Sequence, residues 1–304
     1  MPDTVRDDLW FDSGSDRCAI SVLRPAGLDG SAPIIVMAHG FGSVRALRLP
    51  AYADQFVQAG YVVALFDYRH FGDSEGTPRQ LLDVRRQLED WRNALAFARQ
   101  LDGVDPDRVV AWGTSFGGGH VLTLAGTGER LAAIIAQVPH VDGIAAVRSA
   151  GLRQTLRLAP AALSDQIRAL LGREPRYIDS IGEPGALAAM VSPDAAVGRD
   201  RLLDASGLQT GDYPETVAAR ILLHIGLYSP GKTAANIQCP ALVQIATNDA
   251  ITPTDIALRT ARKIPRATVV TYEGGHFDPY VEPLFPRIIA DQLAFLREAV
   301  PIPR

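Results

Sequence analysis

Two cysteines in 304 residues, Cys18 and Cys239, leave nothing from which to build a disulfide framework. They lie far apart and neither sits in a C-x-x-C pair, so a zinc knuckle is excluded as well. Basic residues are also scarce: 30 Lys and Arg against 34 Asp and Glu give a net charge of −4. A chain with no basic excess has little to offer a phosphate backbone, and nucleic acid is not the expected partner. No window approaches the roughly 18 consecutive apolar residues of a membrane-spanning helix, so no membrane partner is expected either. The opening MPDTVRDDLWFDSGSD is acidic and lacks the basic stretch and apolar run of a secretion signal, so a cytoplasmic location is expected. Histidines and carboxylates show no ligand spacing such as H-x-x-x-H, and neither a metal nor another cofactor is expected. What is present is ordinary for a folded chain: 47% hydrophobic and 21% charged residues, too apolar for disorder.

From Ile34 to Leu131 short apolar runs alternate with helical ones. IIVMAHG (34–40), YVVALFDY (61–68), RVVAWG (108–113) and LAAIIAQVP (131–139) read as strands apolar on both faces. That is the pattern of a parallel sheet covered by helices. Between Leu81 and Leu101, apolar Val84, Leu88, Trp91, Leu95 and Ala98 recur at steps of three and four, which predicts a helix with one buried stripe. Its other face mixes Arg85, Arg86, Glu89, Arg92 and Arg99 and reads as solvated. Trp10–Phe11 and Cys18–Leu23 read as an antiparallel pair at the sheet edge.

The rhythm breaks after Pro139. Residues 141–235 are mostly helical, with runs at Ile144–Leu158, Ala161–Leu171 and Glu215–Leu227, although ARILLHIGL (219–227) could equally be a strand. The α/β rhythm resumes at CPALVQIATND (239–249), a helix near Thr254–Ile264, the strand ATVVTYEG (267–274) and a closing helix Val281–Ala299. The expectation is an α/β core, 1–140 and 236–304, with a mainly helical cap, 141–235, inserted after the sixth strand. Cap residues such as Leu152, Leu156, Leu163, Ile167 and Leu170 must then be buried. They pack either against the carboxyl edge of the sheet, lining an acyl pocket, or only against one another and the core.

Gly113-Thr114-Ser115-Phe116-Gly117 falls between a strand and a helix, the context in which G-x-S-x-G forms a nucleophile elbow. Serine needs a base, and of six histidines His276 has the best setting, in a loop after an apolar strand. The base needs a carboxylate to hold it. Asp249 closes the strand ALVQIATND and completes the chain order Ser, Asp, His; Asp142, after LAAIIAQVP, is its competitor. In His39-Gly40-Phe41-Gly42 the Phe41 amide, with that of Phe116, is placed to form an oxyanion hole. His39 and His70 read as structural or pocket-lining, His120 as packed within or on its helix, and His224 as a satisfied buried imidazole. His140 and Phe277 are the candidates for substrate contact. Asp67 and Asp73 read as ordering the loop after their strand.

Over about 30–140 and 236–300 the chain resembles the α/β-hydrolase fold family. AHGFGSVRALRL, FDYRHFGDSEGTPRQLLDVRRQLEDW and WGTSFGGGH are similar to bacterial serine hydrolases of the dienelactone-hydrolase and acetyl-xylan-esterase-like groups, and to fungal hydrolases that release or transfer polyketide chains. The resemblance implies Ser115 as nucleophile, Asp249 as acid and His276 as base, with Phe41 and Phe116 as the hole. Serine stands here where dienelactone hydrolases carry cysteine, and the long insertion also departs from their minimal form. The expected substrate is a small-molecule ester or thioester. A thioesterase, an acyltransferase, a peptidase and a silent ligand-binding module are the alternatives.

Overall fold

The computed structural model describes residues 4–28 and 30–302. The chain opens with a hairpin, β1 (Thr4–Ser13) and β2 (Asp16–Pro25), at the place expected for the edge pair. β3 (Ala32–Ala38) is buried along its whole length and leads through a loop to α1 (Leu49–Gln58). β4 (Val62–Phe66), also wholly buried, precedes α2 (Val84–Ala98). β5 (Val104–Thr114), α3 (Phe116–Gly126) and β6 (Ala133–Gln137) follow. Six strands are then in place before the chain leaves the sheet.

After β6 come α4 (Gly143–Ala150), α5 (Leu152–Leu170), β7 (Tyr177–Ile181), β8 (Ala188–Met190), α6 (Ala195–Ala205) and β9 (Thr216–Ala218). Two 3-10 turns, Ala219–Leu223 and Ile225–Leu227, come next. The chain then returns through β10 (Ala241–Ala246), α7 (Thr254–Ala261), β11 (Ala267–Tyr272) and α8 (Phe285–Ala299). The main sheet has the order β1-β2-β4-β3-β5-β6-β10-β11, and all its pairings from β4 to β11 are parallel. It is a mostly parallel α/β-hydrolase sheet flanked by helices.

Alternate residues of each central strand feed two cores. Ile34 and Val36 pack with Trp91 and Leu95 of α2 and Val121 of α3; Ile35 and Met37 pack with Tyr52 and Phe56 of α1 and Ile288 of α8. On α2 the buried stripe is rotated from the apolar one. Val84 and Leu88 are only half-buried, while Gln87 and Asp90 are buried. Asp90 earns its place with hydrogen bonds from Ser13 (2.6 Å) and the Arg69 side chain (2.5 Å), contacts that periodicity alone does not register. β11, read as an apolar strand, is the far edge of the sheet and leaves Val269 exposed.

The segment after β6 departs most from expectation. The break between its first two helices is at Gly151, held at φ 84°, and not between Leu158 and Ala161; Pro160 sits inside α5. Residues 215–227 form no α-helix but a short strand and 3-10 turns. A three-stranded sheet, β8-β7-β9, and the helix α6 were not anticipated. Most of the large apolar side chains of α5 also face away from the sheet, Leu158 being the exception. Leu152, Leu156, Leu163, Ile167 and Leu170 are 54–78% exposed, and the helix turns Gln154, Leu158, Ala161, Ala162 and Asp165 inward. Asp165 explains that choice: it accepts two hydrogen bonds from the Arg220 guanidinium and others from the Arg176 and Arg220 amides. The alanines beside it allow close approach. Among the described residues no helix is long and apolar enough to cross a membrane.

Candidate active site

Four loops at the carboxyl ends of parallel strands converge. The sharpest turn is the one after β5, where Ser115 has φ 54° and ψ −118°, a backbone that side chains rarely adopt. Its flanks must be glycine: a Cβ on Gly113 would lie 2.2 Å from the Gly117 carbonyl, and one on Gly117 would lie 2.5 Å from the His39 carbonyl. Hydrogen bonds lock the turn. The Ser115 amide donates to Gln137 O (2.9 Å), and Ser115 O accepts from the amides of Gly119 (3.1 Å) and His140 (2.9 Å).

His276, in the loop after β11, reaches Ser115 Oγ with Nε2 at 3.0 Å and Asp249 Oδ2 with Nδ1 at 2.7 Å. All three side chains are buried. Asp249 is held in turn. Its Oδ1 accepts from the amides of Ile251 (2.8 Å) and Thr252 (2.7 Å), and Oδ2 accepts from the Thr252 hydroxyl at 2.6 Å. Burial alone would raise the Asp249 pKa, but His276 and these donors outweigh it and the carboxyl stays below its ordinary value. Thr252 was missed in the sequence, although an aspartate that caps amides two and three residues on is a recognisable turn signal. Asp142 is elsewhere, accepting from the Ala145 amide at 2.9 Å as the N-cap of α4.

Phe41 and Phe116 meet edge to face, ring centroids 5.8 Å apart, beside Ser115. Phe116 begins α3, so its N–H is among those with no partner inside the helix. The loop carrying Phe41 lies against the nucleophile, since a Cβ on Gly40 would be 3.0 Å from Ser115 Cβ. His39 Nδ1–H donates to the Gly40 carbonyl at 3.0 Å and steadies that loop. Asp67 accepts from the Arg45 amide (2.7 Å) and pairs with its guanidinium, which reaches Asp73 at 2.8 Å, so both acids order the neighbouring loops.

The other histidines sort by their partners. His120 Nε2–H donates to Gln87 at 2.9 Å, and its Nδ1 accepts from the Tyr228 hydroxyl at 2.7 Å. His140 stacks on Tyr228 (5.8 Å, 16°) and donates to its carbonyl at 3.2 Å. Phe277 lies edge to face with His276 and packs under Gly198. His224, expected to be buried, is exposed on the 3-10 turns.

Burial is the main cause that depresses His70 to about 4, His120 to about 3 and His140 to about 4. An unfolded imidazole titrates near pH 6.5. Below that pH the unfolded state binds protons that the folded state refuses, so these groups' stabilisation is lost as pH falls through that window towards about 4. The thermal midpoint should therefore decline from about pH 6.5 to about pH 5, above the range where carboxylates titrate. A level midpoint over that interval would contradict the neutral state of these rings.

Two hollows meet at Ser115. The larger, about 490 Å³, is lined by Val147, Leu158, Ala159, Leu222, His140 and other largely apolar residues. The smaller, about 60 Å³, lies against His276, Phe277 and the 39–43 loop. So the structure places His140 on one and Phe277 on the other.

The family model of the X-Pro dipeptidyl-peptidases (S15 family) matches residues 13–276. The quorum-quenching protein AidA of Acinetobacter baumannii (strain MDR-ZJ06) is 44% identical over 97% of this chain and 95% of its own. The polyketide transferase grgF of a Penicillium species is 28% identical over 96% of each chain. The crystal structure of the α/β hydrolase GrgF from Penicillium sp. sh18 superposes with a TM-score of 0.81 at 24% identity, covering 97% of this chain and 99% of that one. Est1E of Butyrivibrio proteoclasticus, with ferulic acid bound, superposes at 0.65 with 16% identity over 96% and 99% of the two chains. These last two likenesses, both below 25% identity, speak for the fold alone.

Proposed function

The chain belongs to the S15 peptidase family of α/β-hydrolases, and on that premise we propose that it is a serine hydrolase cleaving carboxylic esters through an acyl-enzyme. The observation that carries this reading is the line from Asp249 through His276 to Ser115, at 2.7 and 3.0 Å. Ser115 Oγ attacks the carbonyl carbon while His276 Nε2 takes its proton and passes it to the departing alcohol oxygen. Water, deprotonated by the same nitrogen, then releases the acid. Asp249 holds the imidazole in the required tautomer and stabilises its charged form. The amides of Phe41 and Phe116 receive the negative charge on the carbonyl oxygen. In this scheme 141–235 is the cap over a core made of 1–140 and 236–304.

A dipeptidyl-peptidase, as the family is described, needs an acid to hold the substrate's ammonium on the acyl side. None of the residues lining the large chamber is Asp or Glu. An apolar acyl chain suits that chamber better. The polyketide transferase among the relatives supports a second reading, thioester cleavage or acyl transfer by the same residues. Labelling of Ser115 by a fluorophosphonate tests the shared chemistry. Turnover of an oxygen ester against a thioester of the same acyl group decides between the two. If the chamber holds the acyl chain, Ala159→Phe should lower the octanoyl-over-acetyl ratio of kcat/KM about tenfold, roughly the contact of two methylenes at about 0.8 kcal/mol each. An unchanged ratio in that variant would place the chain elsewhere.

A further inference from the structure

Ser115, Phe41 and Met190 line both hollows, so the nucleophile stands at the waist between a roomy apolar chamber and a small second niche. Ser180, Tyr213 and Glu215 of the β7–β9 region line only the niche. Ser180 is 4% exposed, and its hydroxyl has no hydrogen-bond partner among the described residues. Backbone hydrogen bonds hold it in place. The Ser180 amide donates to the Glu215 carbonyl at 2.8 Å, and Gln80 Nε2 donates to the carbonyls of Pro214 (2.8 Å) and Thr216 (3.1 Å). The strand lies directly on the 39–43 loop: a Cβ on Gly42 would be 2.3 Å from Ser180 Oγ and 2.8 Å from Val217. The Glu215 carboxylate is 17% exposed, and its nearest cation, Arg199, stands off at 3.6 Å. A buried hydroxyl without a partner is costly unless a ligand arrives to use it.

Resting on Ser115 as nucleophile, we infer that this niche receives the group on the far side of the scissile bond and selects a small one that carries an O–H or N–H donor. Glu215 accepts from that donor, and Ser180 Oγ completes the pair as donor or acceptor. The size restricts the group, because about 60 Å³ admits only about four to six water-sized fragments. When the acyl carbon–oxygen bond breaks, the departing oxygen receives the Ser115 proton from His276 and leaves through this niche. The same groups would hold an acceptor alcohol whose oxygen attacks the acyl-enzyme in the reverse sense.

Two arms separate these roles, using the full chain. In the first, kcat/KM is measured for 2-hydroxyethyl butyrate and propyl butyrate, leaving groups of equal length that differ in one donor. In the second, vinyl butyrate, whose leaving group is small, supplies the acyl group to ethylene glycol or 1-propanol, and the ester formed is measured. The wild type should favour the hydroxylated partner about tenfold in at least one arm, as expected for a hydrogen bond to a charged group. Ser180→Ala and Glu215→Gln should each lower that ratio about fivefold. A change in the first arm assigns the niche to the leaving group; a change in the second alone assigns it to an acceptor. A wild-type ratio near unity in both arms, or ratios that neither variant alters, overturns the inference. In either case vinyl butyrate turnover that is lost in Ser115→Ala would leave the acyl-enzyme itself standing, whereas its absence in the wild type overturns both.

Discussion

Ser115→Ala is expected to lower kcat on a short vinyl ester about a millionfold and to remove the burst. The loss is large because Ser115 Oγ, 3.0 Å from His276 Nε2, is the hydroxyl hydrogen-bonded to that nitrogen among the described residues. The fold should survive, because the bonds that lock the elbow run through the Ser115 amide and carbonyl, not its hydroxyl. A thermal midpoint close to the wild type is the control. His276→Ala should cost about as much, and the double variant should be little worse than either alone, since the two groups act as one unit. Undiminished turnover in Ser115→Ala would sink the proposed mechanism.

Asp249→Asn should lower kcat by about four powers of ten through the wrong tautomer. Asp249 Oδ1 accepts from two amides, Ile251 and Thr252, that have no other role, so an asparagine must keep its oxygen there. Its NH₂ then faces His276 Nδ1, where the carboxylate Oδ2 now accepts at 2.7 Å. That nitrogen becomes an acceptor, the proton moves to Nε2, and Nε2 donates to Ser115 Oγ instead of taking its proton. The Thr252 hydroxyl, now 2.6 Å from Oδ2, can turn to accept from the new NH₂ and make the flip more stable. Labelling by a fluorophosphonate should slow with kcat, while KM changes little. Activity within tenfold of the wild type would show that Asp249 does not set the tautomer.

The parts of the site that were legible in the sequence are those whose signal is local. A strand running into G-x-S-x-G and a helix is a turn that admits few alternatives, because Gly113 and Gly117 leave no space for a Cβ. The buried strands β3, β4, β6 and β10 show as continuous apolar runs because helices cover both their faces. His276 and Asp249 stand out as candidates for the same reason, each following an apolar strand. The choice between Asp249 and Asp142 was not local. It follows from the strand order: β10 lies next to β11, which carries His276, whereas β6 is one strand further away.

What lay outside the reach of the sequence is concentrated between β6 and β10. Strands of three residues, such as β8 and β9, are too short to show a period of two, so the small sheet was invisible. In α5 the apolar stripe pointed to one buried face, yet the buried ion pair of Asp165 with Arg220 and a run of alanines turn the opposite face inward. Leucine periodicity measures where apolar area is, not which neighbour is near enough to cover it. Composition and local turns thus determined the strands of the sheet, the elbow and the candidates Ser115 and His276, and left Asp249 and Asp142 as rival acids. Only tertiary packing decided what surrounds Ser115, because both hollows are spaces between segments distant in sequence, and no segment by itself encodes the space beside it.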